Sequence, residues 1–335
     1  MLAARSVRAL VGCCVLMFVL VGCGGIEFPF LKPTPSDVRV EGAAEKLIIG
    51  IVDQRTGNDS SYHAGRFSEI ELEIEDSDEE WNEVAMLAEA LGKELSSRGV
   101  PATCVVGKQD ANVTLNVKRF QAINLRFTAF DPWRAFHVFL GELVTPDGTR
   151  RIPAYFYNGE LPGWSMAECG MPCYSMPFSI LVKDIAAKVN AATLGLKASD
   201  GEVERIVAAV EAHEYDDGAE DEEKATWKIL ALGATNNPKA VDKLKALADH
   251  EDQFLRACAL AGLGMLASHD DGTFFAFLKQ RYDKYTDIDK LMALKSIGDL
   301  PSEQADAFMQ TVAADEEAMG DFGVMNYFDN IYNVK

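Results

Sequence analysis

The chain has 335 residues, a formal net charge of −20 and 48% hydrophobic residues, enough to fill two sizeable cores. With 32 basic against 52 acidic side chains, its surface repels nucleic acid and anionic headgroups. That excludes a DNA- or RNA-binding role and a basic membrane-docking patch.

Arg5 and Arg8 precede an apolar run from Ala9 to Val21, which has the form of an export signal and is too short to span a bilayer. No later run is long and apolar enough to cross one. The run closes on LVGC, Leu20 to Cys23, followed by Gly24 and Gly25. This box resembles the lipobox of bacterial lipoproteins. The resemblance implies a signal peptide over 1–22 and a diacylglyceryl thioether with an N-acyl chain on Cys23. Because Gly24 rather than aspartate follows, it further implies an outer-membrane anchor facing the periplasm. An earlier LVGC, Leu10 to Cys13, has no apolar run before it. Each buried lipid methylene contributes about 0.8 kcal/mol, so several chains hold a protein to the membrane without spanning it. Residues 23–44 then form the anchor and a Pro-rich, aperiodic stretch (FPFLKPTPSD) that reads as a flexible tether.

Residues 45–198 read as one α+β unit. KLIIGIVD has the length and continuous apolar character of a buried strand, and IELEIE alternates through Ile70, Leu72 and Ile74. Ser77 and Glu80 form a capping box before a helix with Trp81, Val84, Ala88, Leu91 and Leu95 on one stripe, ending at Gly99. Strands follow at Ala102 to Val106, Asn112 to Ile123, Ala135 to Thr145 and Arg150 to Tyr157, the last two joined by a PDG turn. A helix from Phe178 to Leu194 closes the unit. The expected architecture is a mostly antiparallel sheet with two helices on one face. This order, with IIGIVDQRTGND, VAMLAEALGKELSSRGV and DANVTLNVKRFQA, resembles the YajG-type small bacterial lipoproteins. The resemblance brings no catalytic residues with it.

Residues 199–223 read as an acidic hinge with one short helix, Glu202 to Ala212; EYDDGAEDEE lacks the alternating carboxylates of a calcium loop. Over 224–316 the chain repeats itself. Gly233, Gly264 and Gly298 are 31 and 34 residues apart, and aligning them superimposes Leu232, Leu263 and Ile297, then Ile229, Leu260 and Leu294, then Trp227, Cys258 and Met292. Downstream, Leu244, Phe275 and Met309 fall in register, as do Leu247, Leu278 and Val312. Each unit is two helices whose apolar faces need a neighbouring pair. LALGATNNPKAVDKLKALADHEDQFLRACALAGLG resembles short bacterial HEAT repeats, with Arg256 and Lys290 at that family's basic position and Ala225 departing from it. The aromatic tail, 317–335, is expected to cap the stack. The fold class is therefore multidomain: α+β followed by an all-α, HEAT-like solenoid.

Little points to catalysis. His63, His137, His213, His250 and His269 fall in separate elements without metal-ligand spacing, and no GxSxG, P-loop or strand-linked GxGxxG occurs. A non-enzymatic protein without a cofactor is expected. Cys258 lies on the repeat's core stripe and Cys104 in a strand, which makes both packing residues. Cys169 and Cys173, in GWSMAECGMPCYSMPF, would form a disulfide in an oxidising compartment. With Met166, Met171 and Met176 they are alternatively a soft-metal, copper-type site. LRFTAFDPWRAFHVF offers a second candidate: Trp133 and Arg134, at an Asp131-Pro132 turn, could meet a glycan or anion, with Trp133 expected to be exposed. The leading expectation is a lipid-anchored envelope protein whose repeats meet another envelope protein. Copper handling and ligand binding at Trp133 are the alternatives.

Overall fold

The computed structural model describes residues 26–42, 45–56, 64–65, 70–75, 77, 80–125, 131–161, 170–212 and 219–333. Cys23 and the export signal lie outside them. The chain divides into an N-terminal sheet-containing region and a C-terminal region that is helical throughout its described residues.

The main sheet has the order β6-β3-β7-β8-β9, from β3 (Leu47–Asp53), β6 (Ala102–Val106), β7 (Val113–Leu125), β8 (Trp133–Thr145) and β9 (Gly148–Leu161). β4 (Ala64–Gly65) adds to β7. The sheet is mixed, which corrects the antiparallel expectation. β7, β8 and β9 run antiparallel, whereas β3 lies parallel to both β6 and β7. The reason is connectivity. Helix α1 (Glu83–Ser97) returns the chain across one face before β6, and residues 107–112 then cross over β3 to begin β7. The crossing passes directly above Gly50, where an added Cβ would lie 2.3 Å from the Gly107 carbonyl oxygen. Gly107 N donates to Ile51 O at 2.8 Å and Asn112 N to Ile48 O at 3.1 Å, fixing both ends of the crossing.

Helix α1 starts later than its sequence signal. Asn82, not Ser77, is the N-cap, its Oδ1 accepting from Ala85 N at 2.9 Å. Trp81 thereby stays outside the helix and packs edge-on against Phe30. Of the segment read as a tether, the described residues 26–42 take defined structure. β1 (Ile26–Phe30) pairs parallel with β5 (Ile70–Ile74), and Phe28, Phe30 and Val38 are buried. The period of two aims Phe28 and Phe30 together at Trp133, Tyr174 and Phe178, while Pro29 faces outward. β2 (Val40–Glu41) then pairs with β10 (Lys197–Ala198).

Helix α2 (Met176–Thr193) packs on β8, β9 and α1. Between the two helices a buried network ties three segments: Arg98 Nε donates to Glu94 Oε1 at 2.7 Å, and Lys183 Nζ donates to Glu94 Oε2 at 3.2 Å and to Thr34 O at 2.8 Å. Burial would raise the Glu94 pKa, but Arg98, Lys183 and a hydrogen bond from Ser36 hold it down at about 2.

After α3 (Asp200–Ala212) come three helix pairs: α4 (Ala219–Ala234) with α5 (Val241–Leu247), α6 (Gln253–Met265) with α7 (Phe274–Lys284), and α8 (Asp287–Gly298) with α9 (Glu303–Ala314). The first helices touch in succession, α4 on α6 on α8. Their approach is close because Gly233 faces Gly262; a Cβ on Gly233 would lie 2.6 Å from the Gly262 Cα. These helices rest on the sheet unit, α4 and α6 against α2, and α8 against β9. The tail, α10 (Glu316–Gly320), α11 (Phe322–Tyr327) and a π-helix (Phe328–Tyr332), packs on α8 and returns to the sheet. Phe322 meets Phe136 and Tyr327 meets Tyr155 there, and Tyr155 Oη donates to Asn326 Oδ1 at 3.2 Å. Strand β8 is thus covered on both faces, so its central run AFHVFLG is buried without alternation.

Adding a methyl at Gly50 forces the crossing loop away from the sheet. Gly50→Ala is expected to cost about 2–3 kcal/mol, within the range for overpacking, read as a lower urea midpoint. Gly148→Ala, where nothing approaches, serves as a comparison for the strain of its positive φ alone.

Candidate functional site

Two of the sequence candidates, from separate loops, pack together in one buried cluster. Residues Met171–Ser175 form a π-helical turn that leads into α2 without a break. Its widened hydrogen-bond pattern leaves carbonyls to be satisfied from the sheet. His137 on β8 meets the Cys173 carbonyl through Nε2 at 2.7 Å, and Asn158 on β9 donates to the Pro172 carbonyl. Phe28 bridges the two, its ring centroid 6.4 Å from that of Trp133 and 5.3 Å from that of Tyr174. Asn124 on β7 is 1% exposed, and neither of its amide atoms has a hydrogen-bond partner among the described residues.

Trp133 is therefore not exposed. It is 7% accessible, because Phe28 from the supposed tether covers it. Arg134, the next residue, points to the opposite face and pairs with Glu160. There it borders a polar cavity of about 280 Å³ with Tyr157, Asp287, Asp321 and Phe322. So Trp133 and Arg134 line different spaces and do not share one ligand loop. Asp287 holds φ of +54°, an αL conformation that aspartate tolerates at modest cost.

Cys173 is buried beneath the π-turn, while Cys169 and Met166 lie outside the described residues, as does any disulfide or metal site that needs them. Met171 and Met176 are half-buried. Among the described residues no group of three or more His, Cys, Asp or Glu side chains is placed to hold a metal ion. Cys258 is fully buried on the repeat core, and Cys104, on β6, is half-buried beside Gly92 of α1.

A second feature had no sequence signal beyond scattered aromatics. The second helices form the layer away from the sheet, and on it rings and cations stack in a ladder. Arg281 lies 3.7 Å from the Phe277 centroid, with Lys245 on the same ring at 5.6 Å. Tyr285 carries Lys284 at 4.5 Å and Arg256 at 5.1 Å, and Phe308 carries Lys279 at 5.5 Å. Phe277, Tyr285 and Phe308 are each partly accessible.

No family model and no curated protein matches the chain. Two solved structures are similar at low level. One is an uncharacterized protein, 11% identical, aligned over 49% of this chain and 94% of its own length with a TM-score of 0.27. The other is a Xanthomonas campestris protein carrying the family label DUF330, 14% identical over 50% of this chain and 94% of its own length, with a TM-score of 0.29. Among the described residues no helix is long and apolar enough to cross a membrane.

Burial pushes the His137 pKa down to about 3, with the Cys173 carbonyl opposing the shift weakly. In the unfolded chain its value is near 6.5. The unfolded state therefore binds more protons between these values, so stability is complete above pH 6.5 and falls as pH drops toward 3. Urea unfolding is expected to show a loss of about 2 kcal/mol between pH 7 and pH 5. His269, also shifted down by burial, contributes in the same direction. His137→Gln should flatten most of that slope, whatever its effect on absolute stability.

Proposed function

We propose that the protein is a lipid-anchored, non-enzymatic component of a bacterial envelope, held at Cys23, whose HEAT-like helix pairs present their outer layer to another envelope protein. The supporting observation is the ring-and-cation ladder along α5, α7 and α9, which Tyr285 extends just past α7 with Arg256 reaching in from α6. Aromatic residues dominate the energetics of protein interfaces together with arginine, and here Phe277, Tyr285 and Phe308 are stacked against cations and stay partly accessible. The first-helix side of the stack faces the sheet and α2, which leaves the second-helix layer for a partner. Interaction through an outer surface needs no reaction chemistry, in keeping with a sequence that carries no catalytic motif.

The anchor is close to the folded body. Gly24 and Gly25 separate Cys23 from β1, a span of at most about 10 Å, so the protein would sit against the bilayer rather than on a long stalk.

Two linked measurements test this. Metabolic labelling with an alkynyl fatty acid should label the wild-type protein and not Cys23→Ser. A photo-cross-linker at Phe277, in cells, should yield one discrete adduct that Arg281→Glu reduces at least fivefold, while the same probe at Val106 on the sheet edge yields none. Equal adducts at both positions would remove the ladder from the proposal, and absence of label would remove the anchor.

A further inference from the structure

A cleft of about 250 Å³ opens where the N-terminal segment, α2, α3 and α4 meet. Its walls are mostly apolar: Pro35, Ile206, Ala209, Ala231 and the ring of Trp227. Lys183, Arg205 and Lys228 line it with Asp37, and Glu94, Arg98 and Glu202 stand directly behind Lys183 and Arg205, so that among these groups cations outnumber carboxylates by one. In a chain with a net charge of −20 this is a local reversal of sign.

The cations are differently held. Lys183 is 2% exposed and bound below by Glu94 and Thr34, with its Nζ 5.2 Å from the Trp227 centroid. Burial works against the charge on that ammonium and lowers its pKa, while Glu94, itself paired with Arg98, lies beneath it and opposes the shift. Arg205 sits at the rim, its Nε donating to Glu202 at 2.8 Å and its Nη1 to Asp37 at 3.3 Å. Lys228 follows Trp227 on α4 and is half-buried.

The repeat register marks this place as unusual. The positions equivalent to Trp227 in the second and third helix pairs are Cys258 and Met292, both fully buried in the stack. In the first pair no preceding pair covers the stripe; α3 and the N-terminal segment stand there instead, and a large ring lines the gap between them.

The geometry points to a binding site for an amphiphilic monoanion: an apolar body against Ile206, Ala209, Ala231 and the Trp227 ring, and a carboxylate-type head toward Lys183, Arg205 and Lys228. A hydrophobic pocket with a few convergent charged groups is the usual form of a small-ligand site. Burying the body supplies affinity, and the cations select the sign of the head. This site is independent of the anchoring and interface proposals, since it lies on the side of α4 away from the outer ladder and needs no lipid on Cys23.

The test uses the full chain with Cys23→Ser, so that no acyl chain or detergent is present. Isothermal titration with decanoate and with 2-naphthoate asks whether an acyl or an aromatic body fits. Decanol and decyltrimethylammonium carry similar bodies with a neutral or a positive head. One carboxylate at least should bind saturably at one site, tenfold or more tighter than either control. Ala209→Trp, which fills the cleft from α3, should weaken it more than tenfold at unchanged melting temperature, and Lys228→Glu about fivefold. Trp227→Phe should remove the accompanying change in tryptophan fluorescence. Absence of saturable binding by both carboxylates, equal binding of decanol, or undiminished binding by Ala209→Trp would overturn the assignment.

Discussion

Four charges join the two halves of the molecule, two of them buried and two half-buried. Asp184 and Lys188 on α2 meet Lys295 on α8 and Asp299 just beyond its end. Lys295 Nζ lies 2.7 Å from Asp184 and 2.8 Å from Asp299, and Lys188 Nζ lies 2.8 Å from Asp299. Burial opposes the charge on Lys295, but the two carboxylates outweigh it and hold its pKa above the ordinary lysine value. Two carboxylates and two ammonium groups balance only when α8 is seated on α2 in this one position. Removing one member leaves an unpaired buried charge, at a cost of roughly 3–5 kcal/mol. Such a cluster need not add net stability over an apolar contact; what it supplies is a single seating.

That seating determines what each surface can do. With α8 on β9, the tail is carried to the far face of the sheet, where Phe322 and Tyr327 complete the cover over β8 and β9. With α4 and α6 on α2, the first helices turn inward and the second helices outward, which exposes the ring-and-cation ladder. The same arrangement leaves the gap beside α3 where Trp227 stands over Lys183. The π-turn stands at the other end of α2, where His137 and Asn158 hold the Cys173 and Pro172 carbonyls. Helix α2 is thus pinned at its start by neutral hydrogen bonds to the sheet and further along by charges to the helical region.

Much of this was legible in the sequence where a period repeats. The alternation in IELEIE and the apolar stripes of the helix pairs correspond to elements in the structure, and Gly233 falls where α4 and α6 come closest. Direction was not legible, because KLIIGIVD reads the same for a strand paired on either side, and only the crossing over Gly50 makes β3, β6 and β7 parallel. Pro29, Pro33 and Pro35 disguised β1 as a tether, although Phe28 and Phe30 are among the most buried side chains. Trp133 beside Asp131-Pro132 looked exposed for the same reason, since the residue that covers it is Phe28. The charge cluster was hidden because Asp184 and Lys188, four residues apart, have the form of an ordinary surface pair. Their partners lie more than a hundred residues away, in a register that no local pattern encodes.

The α2–α8 charges should make the sheet unit and the helix pairs one cooperative body. Hydrogen exchange measured across increasing urea tests it most directly, because it reports the opening of β8 and of α6 separately within one molecule. Both should open with the same free energy and the same urea dependence in the wild-type protein, and Lys295→Met should lower both together. If α6 opened well before β8 in the wild-type protein, or if Lys295→Met destabilised the helix pairs and left the sheet unchanged, the two halves would be independent and the account would fail.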